Sequence, residues 1–397
     1  MQRITRLAAQ GDGLTEQGSA VPLAAPGDTI DAAGEVRPGP HRAVPPCRHF
    51  PQCGGCQLQH VDDGAYADFL VDRVIAALHA QQIDTPAIRA PYLSPPRTRR
   101  RAALRAERQG RGVRLGFNEQ ASRQIVDLAE CWILAPPLWA LVAPLRTLLA
   151  TLLPARSVGE VQMTLTDQGV DLRLAGVAAE GLAEAEALTR FAETHRLARI
   201  AVDAGHGAET RWEPQPVTVT LGGTAVGFPS GGFLQATADG EAALVAAVRE
   251  GVGAARTVAD LFAGLGTFAL ALPGRVLAAE GARDALLALK AAGAGRIVAD
   301  HRDLFRRPYA PAELARFDAV VLDPPRAGAR EQVARLAEAP GPRVVYVSCN
   351  PATFARDARM LLAGGRRLAW VQPVGQFRWS THVELVGVFD SPAATPG

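Results

Sequence analysis

Three of the five cysteines in the chain fall within ten residues, in the stretch CRHFPQCGGCQLQH. Cys47, Cys53 and Cys56 have the spacing C-x5-C-x2-C, which is typical of metal-binding thiolates. A tetrahedral zinc ion and an iron–sulfur cluster each take four protein ligands, so a fourth must come from elsewhere in the chain. The candidates are two distant cysteines and two nearby histidines, Cys131, Cys349, His49 and His60. The spacing alone leaves zinc and iron–sulfur both open.

Two further residues could carry nucleophilic or acid–base chemistry. Cys349 directly follows the apolar run VYVS and precedes Asn350. Such a cysteine is either a small buried side chain or, at the ligand-binding edge of a sheet, a nucleophile, and its position favours the nucleophile. Glu384, in THVELV, is either an ordinary surface residue of a strand or, if it is buried in a cleft, a proton acceptor with a raised pKa.

A glycine-rich turn predicts a cofactor that contains a nucleoside. In DLFAGLGTF, residues 260–268, Gly264 and Gly266 allow a tight turn between a predicted strand and a predicted helix. The next predicted strand ends at Glu280, where an acidic side chain typically binds the ribose hydroxyls. Ala269 stands where a dinucleotide-binding fingerprint has its third glycine, which favours S-adenosylmethionine over a dinucleotide.

These residues lie in a predicted α/β region. After about residue 236 short apolar runs alternate with helical stretches, which indicates a doubly wound, mostly parallel sheet. Such a sheet binds ligands at the carboxyl ends of its strands. Asp323, in LDPPRAG, and Cys349 each follow an apolar run, so we expect both at that edge together with the glycine turn. The alternative for Asp323 is a simple loop cap followed by a turn.

The chain before residue 236 predicts three smaller units. Residues 1–40 have short β-like runs between turns, residues 41–90 hold the cysteine cluster and a helical pattern over 64–82, and residues 91–235 alternate strands with a helix. The segment 86–126 carries ten arginines against two glutamates. Arginine suits bidentate binding of phosphate, although such a run is also typical of a solvated charged face.

The composition is that of a globular protein of about two or three domains, with 48% hydrophobic and 21% charged residues among 397. The N-terminal stretch MQRITRLAAQGDGLTEQG lacks the apolar region of a signal peptide. The most apolar run, residues 134–155, contains four prolines and Arg146, which argues for a buried helix near 138–153 and against a membrane span. We therefore expect a cytoplasmic protein, in which clustered cysteines bind metal, and a monomer as the default.

Together these motifs resemble the class I RNA 5-methyluridine methyltransferases, and most closely the 23S rRNA (uracil-5-)-methyltransferases that carry a [4Fe–4S] cluster. The resemblance covers nearly the whole chain. It implies a shortened TRAM-like β-module over 1–40, an iron–sulfur region over 41–90, a mixed α+β RNA-binding domain over 91–235, and a Rossmann-like S-adenosylmethionine methyltransferase domain over 236–397.

The resemblance also implies a reaction and its residues. Cys349 would attack C6 of a uracil in RNA, and Glu384 would remove the C5 proton after methyl transfer. The cluster ligands would be Cys47, Cys53, Cys56 and Cys131. The cofactor contacts would be Gln235, Phe262, Thr267, Glu280, Asp303 and Asp323, beside the turn glycines Gly264 and Gly266. From the charge run, the RNA-binding candidates are Arg97, Arg99, Arg100 and Arg101.

The sequence departs from the family pattern in three places. The N-terminal module is short, Ala236 and Thr237 replace a usual Val-Asn pair, and Ala263 replaces a usual cysteine. The RNA that is bound therefore stays open, with rRNA favoured and tRNA as the alternative. An amino-methyltransferase that uses Asp323 is disfavoured because Arg326, and not an aromatic residue, follows the two prolines. A non-catalytic RNA-binding protein is the remaining alternative.

Overall fold

The computed structural model of the chain describes residues 1–391. It begins with a five-stranded antiparallel sheet in the order β3-β2-β1-β4-β5. The strands are Gln2–Leu7 (β1), Gly13–Thr15 (β2), Ala20–Val21 (β3), Thr29–Ile30 (β4) and Val36–Arg37 (β5). Helix α1 (Asp63–Ala80) follows the cysteine-rich loop, and the Asp62 carboxylate caps it by accepting from Ala65 N. The helix lies where the apolar spacing predicts it.

A second, six-stranded sheet forms the middle of the chain, in the order β13-β12-β11-β10-β8-β9. The elements of this region are Ala87–Ile88 (β6), Tyr92–Leu93 (β7), Arg101–Gln109 (β8), Gly112–Gly116 (β9), Pro136–Leu152 (α2), Val158–Thr166 (β10), Gly169–Ala175 (β11), Leu182–His195 (α3), Arg199–Asp203 (β12), Ala208–Trp212 (β13), Thr218–Leu221 (β14) and Thr224–Gly227 (β15). Helix α2 is the predicted buried helix, and Leu145 and Leu149 pack in the core of this region. No helix in the described range is long and apolar enough to cross a membrane.

A nine-stranded sheet dominates the C-terminal part, in the order β18-β17-β16-β19-β20-β22-β21-β6, with β7 also paired to β21. The elements are Ala238–Val252 (α4), Thr257–Leu261 (β16), Arg275–Glu280 (β17), Arg283–Ala292 (α5), Ile297–His301 (β18), Pro311–Leu314 (α6), Ala319–Leu322 (β19), Arg330–Glu338 (α7), Arg343–Ser348 (β20), Pro351–Ala363 (α8), Arg367–Gly375 (β21) and Glu384–Asp390 (β22). The predicted mixed α/β fold with a Rossmann-like domain is confirmed.

The strand order creates one crevice for a ligand. From β16 the chain winds outward to β17 and β18, and then returns to β19 and β20 on the other side, all in parallel. The carboxyl ends of β16 and β19 therefore flank the point where the winding reverses, which is where such sheets bind ligands. All four residues of β19 are buried, because both faces of the sheet are covered.

Two short strands from the chain before residue 236 belong to the large C-terminal sheet, which the sequence does not predict. β6 and β7, at Ala87–Ile88 and Tyr92–Leu93, lie on either side of the expected boundary at residue 90. Both pair with β21 in the large sheet. The last strand, β22, runs antiparallel between β20 and β21, so that its first residue lies at the carboxyl edge of the parallel strands.

Candidate active site

Cys349 and Glu384 lie opposite each other at the edge of the large sheet. In the antiparallel pair β20–β22, Ser348 faces Leu385. The next step toward the edge sets Cys349, the first residue after β20, against Glu384, the first residue of β22. Both side chains line one pocket of about 750 Å³. The structure therefore brings together the two residues that the sequence analysis singled out for covalent and acid–base chemistry.

A chain of amide hydrogen bonds crosses the floor of this pocket. Ala236 N donates to Gln376 Oε1 at 2.9 Å, and Gln376 Nε2 donates to Gln235 Oε1 at 2.8 Å. Gln235 Nε2 then donates to Asp323 Oδ2 at 3.4 Å. Because a backbone N–H can only donate, it fixes the direction of the whole chain. Two predicted residues, Gln235 and Asp323, are thereby joined directly, and Gln376, which the sequence analysis missed, holds Gln235 from the other side.

Burial controls the acid–base properties of the pocket. It raises the pKa of Glu384 to about 7, with Gln376 acting in the opposite direction. Burial and the neighbouring Glu384 carboxyl raise the pKa of Asp323 well above its usual range. The Cys349 thiol has its pKa raised to about 11 by burial and by both carboxyls. Glu384 is thus suited to accept a proton near neutral pH, whereas the resting thiol is protonated.

The glycine turn after β16 takes the tight form that its sequence predicts. Gly264 and Gly266 have φ angles of 53° and 92°, in the left-handed region that favours glycine. A Cβ atom on Gly266 would lie 2.3 Å from Leu289 Cδ1, so that any larger residue there would have to displace the Leu289 side chain. The Glu280 carboxylate accepts from Gly264 N at 2.9 Å and from Ala282 N at 2.7 Å, which holds it beside the turn.

The segment after the turn differs from the prediction of a helix. Thr267 lies in a run of hydrogen-bonded turns that ends with Leu272 N bonded to Phe268 O. Gly266 has a φ angle of 92°, outside the helical region, and Pro273 follows the run, so the chain does not continue into a helix. The expected helix is therefore replaced by a compact turn.

The remaining predicted cofactor residues lie at the same edge. The Phe262 ring is 5.4 Å from the Phe305 ring, and Phe262 itself has a φ angle of 64°, which is uncommon outside glycine. Asp303, after β18, accepts from Phe305 N at 3.0 Å and from Arg306 N at 3.2 Å. Both residues therefore shape the loop that follows the third strand of the winding.

Asp260, within β16, was also missed. It is fully buried, and Oδ2 accepts from Ala269 N at 2.8 Å. Its other oxygen, Oδ1, has no hydrogen-bond partner among the described residues. Burial raises its pKa to about 7. Asp260 could have been found from the sequence as an acidic residue inside an otherwise apolar strand. Such a group is buried only where something compensates its charge.

All four predicted metal ligands line one small cavity of about 20 Å³, namely Cys47, Cys53, Cys56 and Cys131. The residues that line it do not include His49 or His60. His49 Nε2 instead accepts from Ala129 N at 2.9 Å, and the His60 ring stacks on Phe50 at 5.7 Å. Across residues 1–391, no three or more Cys, His, Asp or Glu side chains form a group that could hold a metal ion.

The Arg100 side chain makes buried contacts that its position in an arginine run does not predict. Arg100 Nη2 donates to Glu241 Oε2 at 2.6 Å, and Nε donates to Gln235 O at 3.1 Å. Both partners of this ion pair are largely buried. A guanidinium held in this way is not free to bind a phosphate, so Arg100 is removed from the RNA-binding set.

The other three arginines of the set remain at the surface of the pocket or beside it. Arg99 and Arg101 line the pocket. The Arg101 guanidinium lies 4.7 Å from the ring of Phe233, which is 65% exposed. Arg97 is exposed and lies 4.3 Å from the Trp132 ring. These cation–π pairs hold the planar guanidinium groups of Arg97 and Arg101 in place, and Arg101 does so at the pocket.

Other parts of the chain complete the pocket walls. Gln10 comes from the N-terminal sheet, Gly54, Gly55 and Gln57 come from the cysteine-rich loop, and Arg326 follows the two prolines after Asp323. His382 contributes from the segment just before Glu384. The sequence analysis named none of these as site residues, because only the folded chain shows that such distant segments meet.

The chain is similar to RNA methyltransferases over its whole length. Residues 285–391 match the family described as tRNA (Uracil-5-)-methyltransferase. The chain is 52% identical to an uncharacterized RNA methyltransferase of Zymomonas mobilis, over 98% of this chain and 99% of that protein. It is 30% identical to the 23S rRNA (uracil(1939)-C(5))-methyltransferase RlmD of Aeromonas salmonicida, over 89% of this chain and 84% of RlmD.

The fold is shared with a solved structure, that of the Pyrococcus abyssi tRNA (uracil-54, C5)-methyltransferase in complex with S-adenosyl-L-homocysteine. The TM-score is 0.70 at 22% sequence identity, over 98% of this chain and 100% of that one. This likeness establishes the fold, and the extended match to RlmD establishes the relationship. The chain belongs to the RNA uracil-5-methyltransferase family.

Proposed function

We propose that this uracil-5-methyltransferase acts through a covalent bond between Cys349 and C6 of the target uracil, with Glu384 as the base. The observation that carries the proposal is the position of the two side chains, opposite each other in one pocket at the ligand edge of the sheet. A nucleophile and a base so close together meet the requirement of covalent catalysis. The target base must leave its stack to enter the pocket.

The proposed reaction follows from the chemistry of uracil, whose C5 is a poor nucleophile. The Cys349 thiol first loses its proton to solvent. Addition of the thiolate to C6 then forms a carbon–sulfur bond and gives C5 the character of an enolate carbon. S-adenosylmethionine supplies the methyl group that C5 accepts. Glu384 then takes the C5 proton, the carbon–sulfur bond breaks, and the thiolate leaves. The raised pKa of Glu384, about 7, suits this role at neutral pH.

The residues at the crevice support S-adenosylmethionine as the methyl donor. Its sulfonium is cationic, and Asp260, Glu280 and Asp323 place carboxyl groups around the crevice, close enough to raise the pKa of Asp323. Glu280 is held by two backbone N–H groups in the position that suits ribose hydroxyls. We assign the ribose to Glu280 and the adenine side to Asp323. The other proposed contacts are Gln235, Phe262, Gly264, Gly266, Thr267 and Asp303.

Replacing Glu280 with glutamine is expected to weaken the binding of S-adenosylmethionine about tenfold or more, because a charge-assisted hydrogen bond contributes roughly 1.5–3 kcal/mol. Titration calorimetry with the cofactor alone measures this effect. Asp284→Asn is the matched control, since Asp284 is an exposed acidic residue in the first turn of α5. Equal affinities in the two variants would contradict the assignment of Glu280.

We also propose that Cys47, Cys53, Cys56 and Cys131 hold a [4Fe–4S] cluster. The support is that these four thiols line one cavity, and that a four-iron cluster takes one thiolate at each of its irons. Methyl transfer involves no net electron transfer. The cluster would therefore organise the structure, by joining the N-terminal loop to the segment that contains Cys131.

Cys131→Ser is expected to lose most of the iron and acid-labile sulfide of the anaerobically purified protein, with about four of each in the unaltered chain. The reason is that the fourth ligand is missing. Cys349→Ser is the matched control, because Cys349 lines a different pocket, and it should keep its iron. Iron and sulfide assays together with visible absorbance measure the result. A colourless protein that contains zinc and no sulfide would contradict the cluster.

The proposed substrate is 23S rRNA, supported by the 30% identity to RlmD of Aeromonas salmonicida. The alternative is tRNA, supported by the description of the matching family. Arg97, Arg99 and Arg101 of the central domain would contact RNA beside the pocket. Transfer of labelled methyl groups to total RNA, followed by fractionation and mapping of the modified base, distinguishes the two. Label on an exocyclic amine would indicate an amino-methyltransferase, and no label would indicate a non-catalytic protein.

A further inference from the structure

Residues 376–383, here called the catalytic loop, connect β21 to β22 and lead directly into Glu384. The loop lines the active-site pocket with five residues, Gln376, Phe377, Ser380, Thr381 and His382. It is neither helix nor strand, and Trp379 has a φ angle of 58°, which is uncommon outside glycine. A loop of this kind depends on contacts from outside to keep its shape.

Those contacts come from one short segment near the N-terminus, residues 57–66, here called the clamp. The Tyr66 hydroxyl lies 3.0 Å from Phe377 O and 3.3 Å from Ser380 O, and its single proton is shared between these two carbonyls. Tyr66 is fully buried. Its hydroxyl is therefore a buried donor, and its removal leaves the two loop carbonyls without that partner.

The rest of the clamp holds the tip of the loop. Gln57 N and Leu58 N both donate to Trp379 O, at 2.8 and 2.9 Å. Arg378 forms an ion pair with Asp63, the first residue of α1. The carbonyls of Phe377, Trp379 and Ser380 are thus all bonded to the same segment, which is more than 300 residues away in sequence.

We propose that Tyr66 is a positioning residue for the removal of the C5 proton, an inference that rests on the proposed role of Glu384. Cys349 follows β20, which is held by sheet hydrogen bonds on both sides. Glu384 is the first residue of β22, where it pairs with Val374, and it is joined directly to the loop. Displacement of the loop therefore acts directly on the backbone of the base, whereas Cys349 belongs to a different segment of the chain. Small displacements of a reacting group are sufficient to slow one chemical step selectively.

The test is Tyr66→Phe, which removes one hydroxyl and keeps the ring. In single-turnover reactions with RNA, release of methylated RNA should fall about tenfold while methyl transfer and affinity for S-adenosylmethionine stay unchanged. The covalent RNA–protein adduct should accumulate, which denaturing gels measure. Tyr92→Phe is the matched control, because the Tyr92 hydroxyl bonds Asp239 Oδ2 at 3.3 Å and makes no bond to the loop. It should behave like the unaltered enzyme.

Asp63→Asn provides a second variant if the loss of the buried hydroxyl prevents folding. The Asp63 side chain is largely exposed, so the change spares the core while it weakens the pair with Arg378. It should produce a smaller accumulation of adduct in the same direction. Release at the normal rate in both variants would overturn the proposal, and so would a parallel loss of methyl transfer and release without adduct.

Glu384→Gln distinguishes a failure of the positioning role of Tyr66 from a failure of the role of Glu384 as base. If Glu384→Gln traps an adduct and Tyr66→Phe does not, the positioning role of Tyr66 is wrong while the proposed function stands. If Glu384→Gln itself traps no adduct, the role of Glu384 as base fails, and the positioning role fails with it.

Discussion

Cys349→Ala is expected to abolish methyl transfer to RNA, with a loss of roughly 10⁴-fold or more, while S-adenosylmethionine binds as before. Without the thiolate, C5 of uracil is not activated, and no other residue can supply the lost covalent step. The side chain lies at the mouth of the pocket and is only half-buried, so its truncation leaves little cavity. Transfer of labelled methyl groups measures the loss of activity. Cofactor titration on the same preparation measures the affinity for S-adenosylmethionine.

Cys349→Ser is the companion variant, because it keeps the size and polarity of the side chain. A serine hydroxyl is a far weaker nucleophile than a thiolate, so the variant should also be inactive. Retention of turnover by either variant would contradict the covalent mechanism and favour transfer to an amine, which needs no thiol. Loss of cofactor affinity together with activity would indicate a disturbed fold instead.

The rule that ligands bind at the carboxyl ends of parallel strands located much of this site from sequence. Asp323 and Cys349 directly follow β19 and β20, as expected. Glu384 reaches the same edge for the opposite reason, because β22 is antiparallel and begins there. No apolar pattern distinguishes a parallel from an antiparallel strand in a buried sheet. Its place beside Cys349 is therefore a result of the topology. The sequence alone left Glu384 as either a surface residue or a proton acceptor, and the family resemblance implied the role of base.

Contacts between residues that are far apart in the chain could not be predicted from the sequence. The arginine run predicts binding of RNA phosphates or a solvated charged face, yet Arg100 pairs with Glu241, which lies 141 residues away. The helical pattern over 64–82 predicts that one face of the helix is buried, and Tyr66 lies on that face. It does not predict that the hydroxyl of Tyr66 bonds to Phe377 O, 311 residues away. Composition and periodicity predict whether a residue is buried or exposed. Its hydrogen-bond and ion-pair partners depend on how distant segments of the chain pack together.

Glu384→Gln is expected to trap the covalent RNA–protein adduct and to slow release of methylated RNA by roughly 10²-fold or more, the usual effect of losing a general base. Cys349 is still able to attack C6, and C5 is still able to accept the methyl group. The C5 proton then has no acceptor, so the carbon–sulfur bond does not break. Denaturing gels with labelled RNA measure the adduct, and digestion of the protein should locate it at Cys349.

The pH dependence of product release offers a second measure of the same residue. Burial raises the pKa of Glu384 to about 7, and the base works only when it is ionised. Release in the unaltered enzyme should therefore increase as pH rises through about 7, and this limb should disappear in Glu384→Gln. Glu250→Gln is the control, because Glu250 lies at the surface, paired with Arg89, and its loss should leave the limb intact. A limb that survives in Glu384→Gln would assign the titration to another group, with Asp323 the nearest candidate, since burial and Glu384 raise its pKa as well.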